Sequence, residues 1–283
     1  MAAAAGAAAL GSLTLPAAPA SAAVPGLLYL SAETNFDSTV YKSVRVFCPS
    51  GTQVIGGGYQ LVGAEGAVVL DDFIPSADNL LVGAGEIVGA GEPSDGTTAS
   101  WKVVANVVCA NALSGYSIQV ASSGFVNRHD NFARVGCPPG RMLIGGGESL
   151  SNGFGQVSTY QLDMSGSQVT AAAITDNDGY SGSWSVTAYA ICAASAPPGW
   201  HLVTQTSANN TQLSKAVTAF CGPGQVSLGA GWNVFVVNNA DRYVTRASVS
   251  ASPDPGVTAA ATATRDTGVI WPVQATAACA NQT

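Results

Sequence analysis

Cys137-Pro138-Pro139-Gly140, followed by Gly145-Gly146-Gly147 and closed by a run from Trp184 to Cys192, is one of three versions of a single unit. The first runs from Cys48 through Gly51 and Gly56-Gly57-Gly58 to Trp101 and Cys109. The third runs from Cys221 through Gly224 and Gly229-Ala230-Gly231 to Trp271 and Cys279. In every copy the glycine follows the first cysteine by three residues, and the tryptophan precedes the second by eight. Another glycine, at Gly26, Gly115 and Gly199, stands 22 residues ahead of each first cysteine, so the unit is about 85 residues long and its period organises the chain.

Within a unit the apolar period is two, which means strands. Trp101, Val103, Ala105, Val107 and Cys109 share one parity, as do Trp184, Val186, Ala188, Ala190 and Cys192, while Lys102 and Asn106, or Ser185, Thr187 and Tyr189, take the other face. Copy three spells out a hairpin, Arg242 to Ser250 and Val257 to Thr264 around Ser252-Pro253-Asp254-Pro255-Gly256. A second hairpin turn is expected before each tryptophan strand, at Asp95-Gly96, Asp178-Gly179 and Asp266 with Gly268. Five or six strands per copy follow, with almost no helix. Three glycines in a strand are tolerated where another group packs on bare backbone. The expected cover is the tryptophan of the same copy or the next.

Residues 1–22 are almost all Ala, Leu and Gly and end in Ala20-Ser21-Ala22, the small-x-small pattern of a signal-peptide cleavage site, although no Lys or Arg precedes Lys42. The division expected is a signal peptide over 1–22 and repeats over 23–114, 115–198 and 199–283, in a secreted, extracellular protein with no membrane span in the mature chain. Six cysteines in an oxidising compartment read as three disulfides. Two pairings treat all copies alike. One joins each copy to itself (Cys48–Cys109, Cys137–Cys192, Cys221–Cys279), and the other joins neighbours. The first is favoured, because a unit that stabilises itself is the one that duplicates in tandem. A formal net charge of -7 with 10% charged residues offers no cationic footprint for nucleic acid.

The unit C-P-x-G, glycine triplet, W-x-V-x-A-x-x-x-C-A resembles repeats of exported actinobacterial proteins of unassigned function, over essentially the whole mature chain. That resemblance implies export and no particular activity. A fainter similarity is to vitelline membrane outer layer protein I, a three-repeat β-prism, which implies that three β units close around a pseudo-threefold axis. The expected fold is therefore all-β, three homologous antiparallel units packed like a β-prism, the alternative being three small β-sandwiches in tandem.

No G-x-S-x-G nucleophile is present, and His129 and His201 occupy unrelated places in their copies. His129 reads as part of a polar turn and His201 as a strand-surface residue. Asp71 with Asp72, or Glu86 with Glu92, are the carboxylate pairs a hydrolase would need. Asp176-Asn177-Asp178-Gly179 has part of a calcium-loop spacing but reads as a turn. The glycine runs lack the Lys-Ser/Thr of a phosphate loop. No cofactor, no metal and no catalysis are expected. Gly56, Gly57, Gly58, Gly145, Gly146, Gly147, Gly229 and Gly231, with Trp101, Trp184 and Trp271, read as structural.

The position eleven residues after the first cysteine varies while its surroundings repeat: Tyr59, Glu148 and Trp232. By strict alternation it shares a face with Ile55 and Leu61, which does not suit Glu148, so either a glycine bulge flips the register or the position sits at a rim. It is the candidate binding position, where an exposed ring stacks on a sugar. The first functional reading is a non-catalytic module binding an extracellular glycan or cell-surface component, with exposed aromatics and amides clustered at one end of the repeats. The second is a structural or protective extracellular protein with a featureless polar exterior, and the third is a secreted hydrolase.

Overall fold

A computed structural model describes residues 23–88, 96–176, 178–235, 242–251, 253–264 and 268–282. The signal-peptide expectation over 1–22, and residues Glu92, Asp95, Asn177, Ser252 and Asp266, fall outside them. Each copy supplies six strands. Copy one holds β1 (Leu28–Glu33), β2 (Tyr41–Phe47), β3 (Thr52–Val62), β4 (Val68–Ser76), β5 (Leu80–Ile87) and β6 (Lys102–Asn111). Copy two holds β7 (Ser117–Ser122), β8 (Asp130–Gly136), β9 (Met142–Ser151), β10 (Val157–Ser165), β11 (Gln168–Thr175) and β12 (Ser185–Ala193). Copy three holds β13 (His201–Thr206), β14 (Ser214–Phe220), β15 (Gln225–Val234), β16 (Arg242–Ser250), β17 (Gly256–Ala263) and β18 (Val273–Asn281).

No sheet belongs to one copy. The three six-stranded antiparallel sheets run β1-β6-β3-β16-β17-β14, β2-β5-β4-β9-β12-β7 and β13-β18-β15-β10-β11-β8. Each copy gives its first, third and sixth strands to one sheet and its second, fourth and fifth to another. The tandem-sandwich alternative is thereby excluded, and the pairing of copies is cyclic: one with two, two with three, three with one. The seams are narrow, with two residue pairs in register at each: Asp72–Ser149 and Phe73–Glu148, Gln161–Asn233 and Leu162–Trp232, Arg246–Gln60 and Ala247–Tyr59. The expected hairpin at Asp178-Gly179 is instead a crossover, because β11 and β12 lie in different sheets. Gly179 takes φ 83°, so a tight turn does form there, but it joins strands of two sheets.

The disulfides join Cys48 to Cys109, Cys137 to Cys192 and Cys221 to Cys279. In each, the first cysteine follows a strand of one sheet and the second sits on a closing strand of another, so the bridge ties two sheets of a copy together. Aromatic donors add ties between copies. Tyr116 Oη donates to the Val54 carbonyl at 2.8 Å, Trp200 Nε1 to the Ile144 carbonyl at 3.4 Å and Tyr29 Oη to the Ser227 carbonyl at 2.8 Å, following the same cyclic order. These carbonyls lie at or beside the bulges of β3, β9 and β15, where one extra residue turns the backbone.

The glycine triplets are covered by backbone and aliphatic groups, not by the tryptophans. Ala190 faces Gly146, and Trp184 is six residues back along the same direction, about 20 Å at strand rise. A Cβ on Gly56 would overlap the Leu228 carbonyl oxygen, one on Gly145 would lie 2.6 Å from the Ile55 carbonyl oxygen, and one on Gly231 would lie 2.8 Å from that of Leu162. The glycines let the backbones of different copies meet. Trp101 instead covers Gly85, where a Cβ would come 3.2 Å from Cζ3.

Trp101, Trp184 and Trp271 stand at the other end of the closing strands from the cystines. Trp101 Nε1 donates to Thr39 O at 2.9 Å and Trp184 Nε1 to Arg128 O at 3.1 Å. Lys42 and Lys215, each six residues before a first cysteine, lay their ammonium groups 5.2 and 5.1 Å from the ring centres of Trp101 and Trp271. Arg242 crowds the same indole of Trp271 from 5.2 Å and is 2% exposed, and among the described residues its Nε and Nη1 have no hydrogen-bond partner. Val68 and Val157 begin the equivalent stretches of the other copies. Burying a cation without a counter-charge costs more than an apolar residue of similar shape. Arg242→Met is therefore expected to raise the thermal midpoint, by about 1 kcal/mol of stability, in a melt monitored by near-ultraviolet circular dichroism.

Candidate functional site

Tyr59, Glu148 and Trp232 come together, but in the interior. Their exposures are 0, 0 and 1%. Each stands at a seam, opposite Ala247, Phe73 and Leu162 respectively. The Tyr59 and Trp232 rings meet edge-on at 5.3 Å, with Phe73 at 6.0 Å from both. The rim placement expected for this position is therefore wrong: the strand bulges between Val54 and Gly56, ahead of it, and beyond the bulge Tyr59 pairs with Ala105 and Leu61 with Val103, so the position shares the inward face with Leu61 and offers no surface to a sugar. Four polar atoms, Tyr59 Oη, both Glu148 oxygens and Trp232 Nε1, have no hydrogen-bond partner there. Burial pushes the Glu148 carboxyl well above its ordinary range, and Asp72 and Asp71 add to the shift; the Tyr59 hydroxyl is raised by burial and by Glu148.

The acidic residues singled out from the sequence do converge. A bulge in β4 places Asp71 and Asp72 side by side, and Glu86 on β5 faces Tyr41 on β2. Burial and its two acidic neighbours raise Asp71 to about 8. Burial raises Asp72 to about 6, and its hydrogen bond with Tyr41 pulls the other way. Glu86 is also raised by burial, offset by the backbone N–H of Gly155. Among the described residues, no group of three or more His, Cys, Asp or Glu side chains is arranged to hold a metal ion. His129 Nδ1 lies 2.7 Å from Thr175 Oγ1 and His201 Nδ1 2.9 Å from the Gly199 carbonyl, both local contacts.

Exposed apolar side chains gather at the tryptophan end. Phe36, Phe125 and Ile270 precede the residues that bridge to, or are, Trp101, Trp184 and Trp271, and the Phe235 N–H donates to Pro272 O. These side chains and Phe154 are 39 to 60% exposed, and Asn35, Asn127 and Asn209 stand exposed among them. In copy one this end holds a hollow of about 230 Å³ lined by Thr34, Asn35, Asp37, Thr39, Tyr41, Lys42 and Ser43. Phe36 lies between two of its lining residues, and Tyr41 is 45% exposed. Asp37 is ionised down to about 2, chiefly because Lys42 hydrogen-bonds it and Thr39 adds a backbone donor. Lys42 also donates to Asn35 O at 2.8 Å, fixing the hollow's floor to Trp101.

A second cavity, of about 320 Å³, lies at the cystine end of copy three, among Phe220, the Cys221–Gln225 turn, Pro253 to Pro255 and Gln282. The corresponding hairpin turns of the other copies are shorter. Its walls are tied by Cys221 N–H to Pro255 O at 2.9 Å and Gln282 N–H to Gly224 O at 2.8 Å.

The lysine signal was visible in the sequence, as Lys42, Asn131 and Lys215 at one offset from the cysteine. The hollow was not, because Thr34 to Ser43 reads only as a polar loop until Trp101 pairs with Asp37. Neither a protein-family model nor a curated protein sequence matches the chain.

Proposed function

We propose that the protein is a secreted, non-catalytic module that binds an extracellular glycan at its tryptophan end. The observation carrying this reading is the copy-one hollow: an ionised carboxylate, an amide and hydroxyls line it, with the exposed Phe36 and Tyr41 rings beside it. Carboxylate and amide oxygens accept from vicinal sugar hydroxyls, and aromatic faces cover the apolar face of a pyranose. The lysine and indole beneath hold these groups before any ligand arrives, which lowers the ordering cost of binding.

On a glycan array, Phe36→Ser and Tyr41→Ser are each expected to lose at least about tenfold in affinity, equivalent to about 1.4 kcal/mol. Phe220→Ser, at the other end, is expected to bind like the wild type. The copy-three cavity supports a second reading, in which the sugar sits against Phe220. Loss of binding in Phe220→Ser alone would select it. No enrichment over background on the array would remove both.

A further inference from the structure

Four carboxyl groups meet at one of the three seams and at neither of the others. The pairs joining β4 to β9 are Asp72–Ser149 and Phe73–Glu148, so each carries an acid, one on the outer face and one in the core. Asp71 stands beside Asp72, and Glu86 acts on Asp71 from β5. The equivalent pairs elsewhere are Gln161–Asn233 with Leu162–Trp232, and Arg246–Gln60 with Ala247–Tyr59, none of them acidic.

We propose that the seam between copies one and two is a pH-gated joint, closed while Asp72 and Glu148 are protonated and loosened when they ionise, the other two seams staying shut.

Among the described residues, the groups nearest the joint are acids and phenols, and a cation on the facing strand, Arg45, is exposed and two strands from Asp72. From β2 come Tyr41 and, two residues along from Ser43, Arg45; the Ser43 register passes through Ala84 to Asp72, two strands away. From β5 comes Glu86, and from β12 comes Tyr189, whose hydroxyl is 3.3 Å from Ser149 Oγ. On the inner face Tyr59 and Trp232 surround Glu148. Lys42 on β2 is committed to Asp37 and Asn35. An ionised Glu148, its two oxygens buried and unpartnered, has neither water nor a described counter-ion. Asp72 meets solvent only in part on the outer face, and two residue pairs are a short length of ladder to hold against that repulsion.

The sign follows from linkage. These acids bind protons more tightly folded than unfolded, so the stability they contribute is fully present below about pH 4 and is lost as pH rises. For Asp72 and Asp71 the loss runs through about 6 and about 8. The wild-type thermal midpoint is expected to fall by about 5–10 °C between pH 5 and pH 9. Asp72→Asn, whose side chain is on the outer face, and Glu148→Met are each expected to reduce that fall, Asp72→Asn also by removing the neighbour that raises Asp71. Hydrogen exchange at pH 9, referred to intrinsic rates, is expected to deprotect β4 and β9 relative to β10 with β15 and β3 with β16. A full pH dependence retained in Asp72→Asn, or equal deprotection of all three seams, overturns the proposal. Should Glu148→Met fail to fold, those two measurements still decide it.

Discussion

Gly56→Ala is expected to lower the unfolding free energy by about 3 kcal/mol in a urea titration, the upper part of the range for overpacking a core. The conformation of Gly56 is not the reason, since its φ is not positive; the reason is space. The added methyl would occupy the position of the Leu228 carbonyl oxygen and lie 3.0 Å from Gly229 Cα, both in copy three. Backbone cannot rotate aside as a flexible side chain does, so β3 and β15 must separate. Gly136→Ala is the control: its methyl would sit 3.6 Å from the Ser167 carbonyl, at ordinary contact. That change is expected to stay within about 0.5 kcal/mol. Equal effects at the two positions would show that the triplet does not hold copies together.

The other large effect is expected from the double change Cys137→Ala with Cys192→Ala. The bridge spans 55 residues, for which loop entropy gives roughly 4 kcal/mol, with measured values more commonly 2–4. It also ties the end of β8, in the sheet shared with copy three, to β12, in the sheet shared with copy one. Its removal is therefore expected to lower the thermal midpoint and to loosen two seams at once. Exchange confined to β8 and β12 would contradict that coupling.

Both predictions depend on how copies meet, which divides what was readable from what was not. The alternation Trp184, Val186, Ala188, Ala190, Cys192 identified a strand and its buried face, and all five residues are 0% exposed. The repeat placed the cysteines in equivalent surroundings three times, so spacing left two pairings open, and the self-sufficiency of a duplicated unit favours the one found. Lys42 and Lys215, and the aromatics Tyr116 and Trp200 that follow Gly115 and Gly199, carried a signal of the same kind that a position-by-position alignment of the copies exposes.

The polypeptide order by itself determined the unit, its strands and its inward faces, because alternation and spacing are local properties of one chain segment. Only the tertiary structure decided that each sheet is shared, that Tyr59, Glu148 and Trp232 converge in the core, and that four acids crowd one seam. A strand edge offers the same N–H and C=O groups to any partner. Which partner it takes depends on how all three copies close together, and no single copy contains that information.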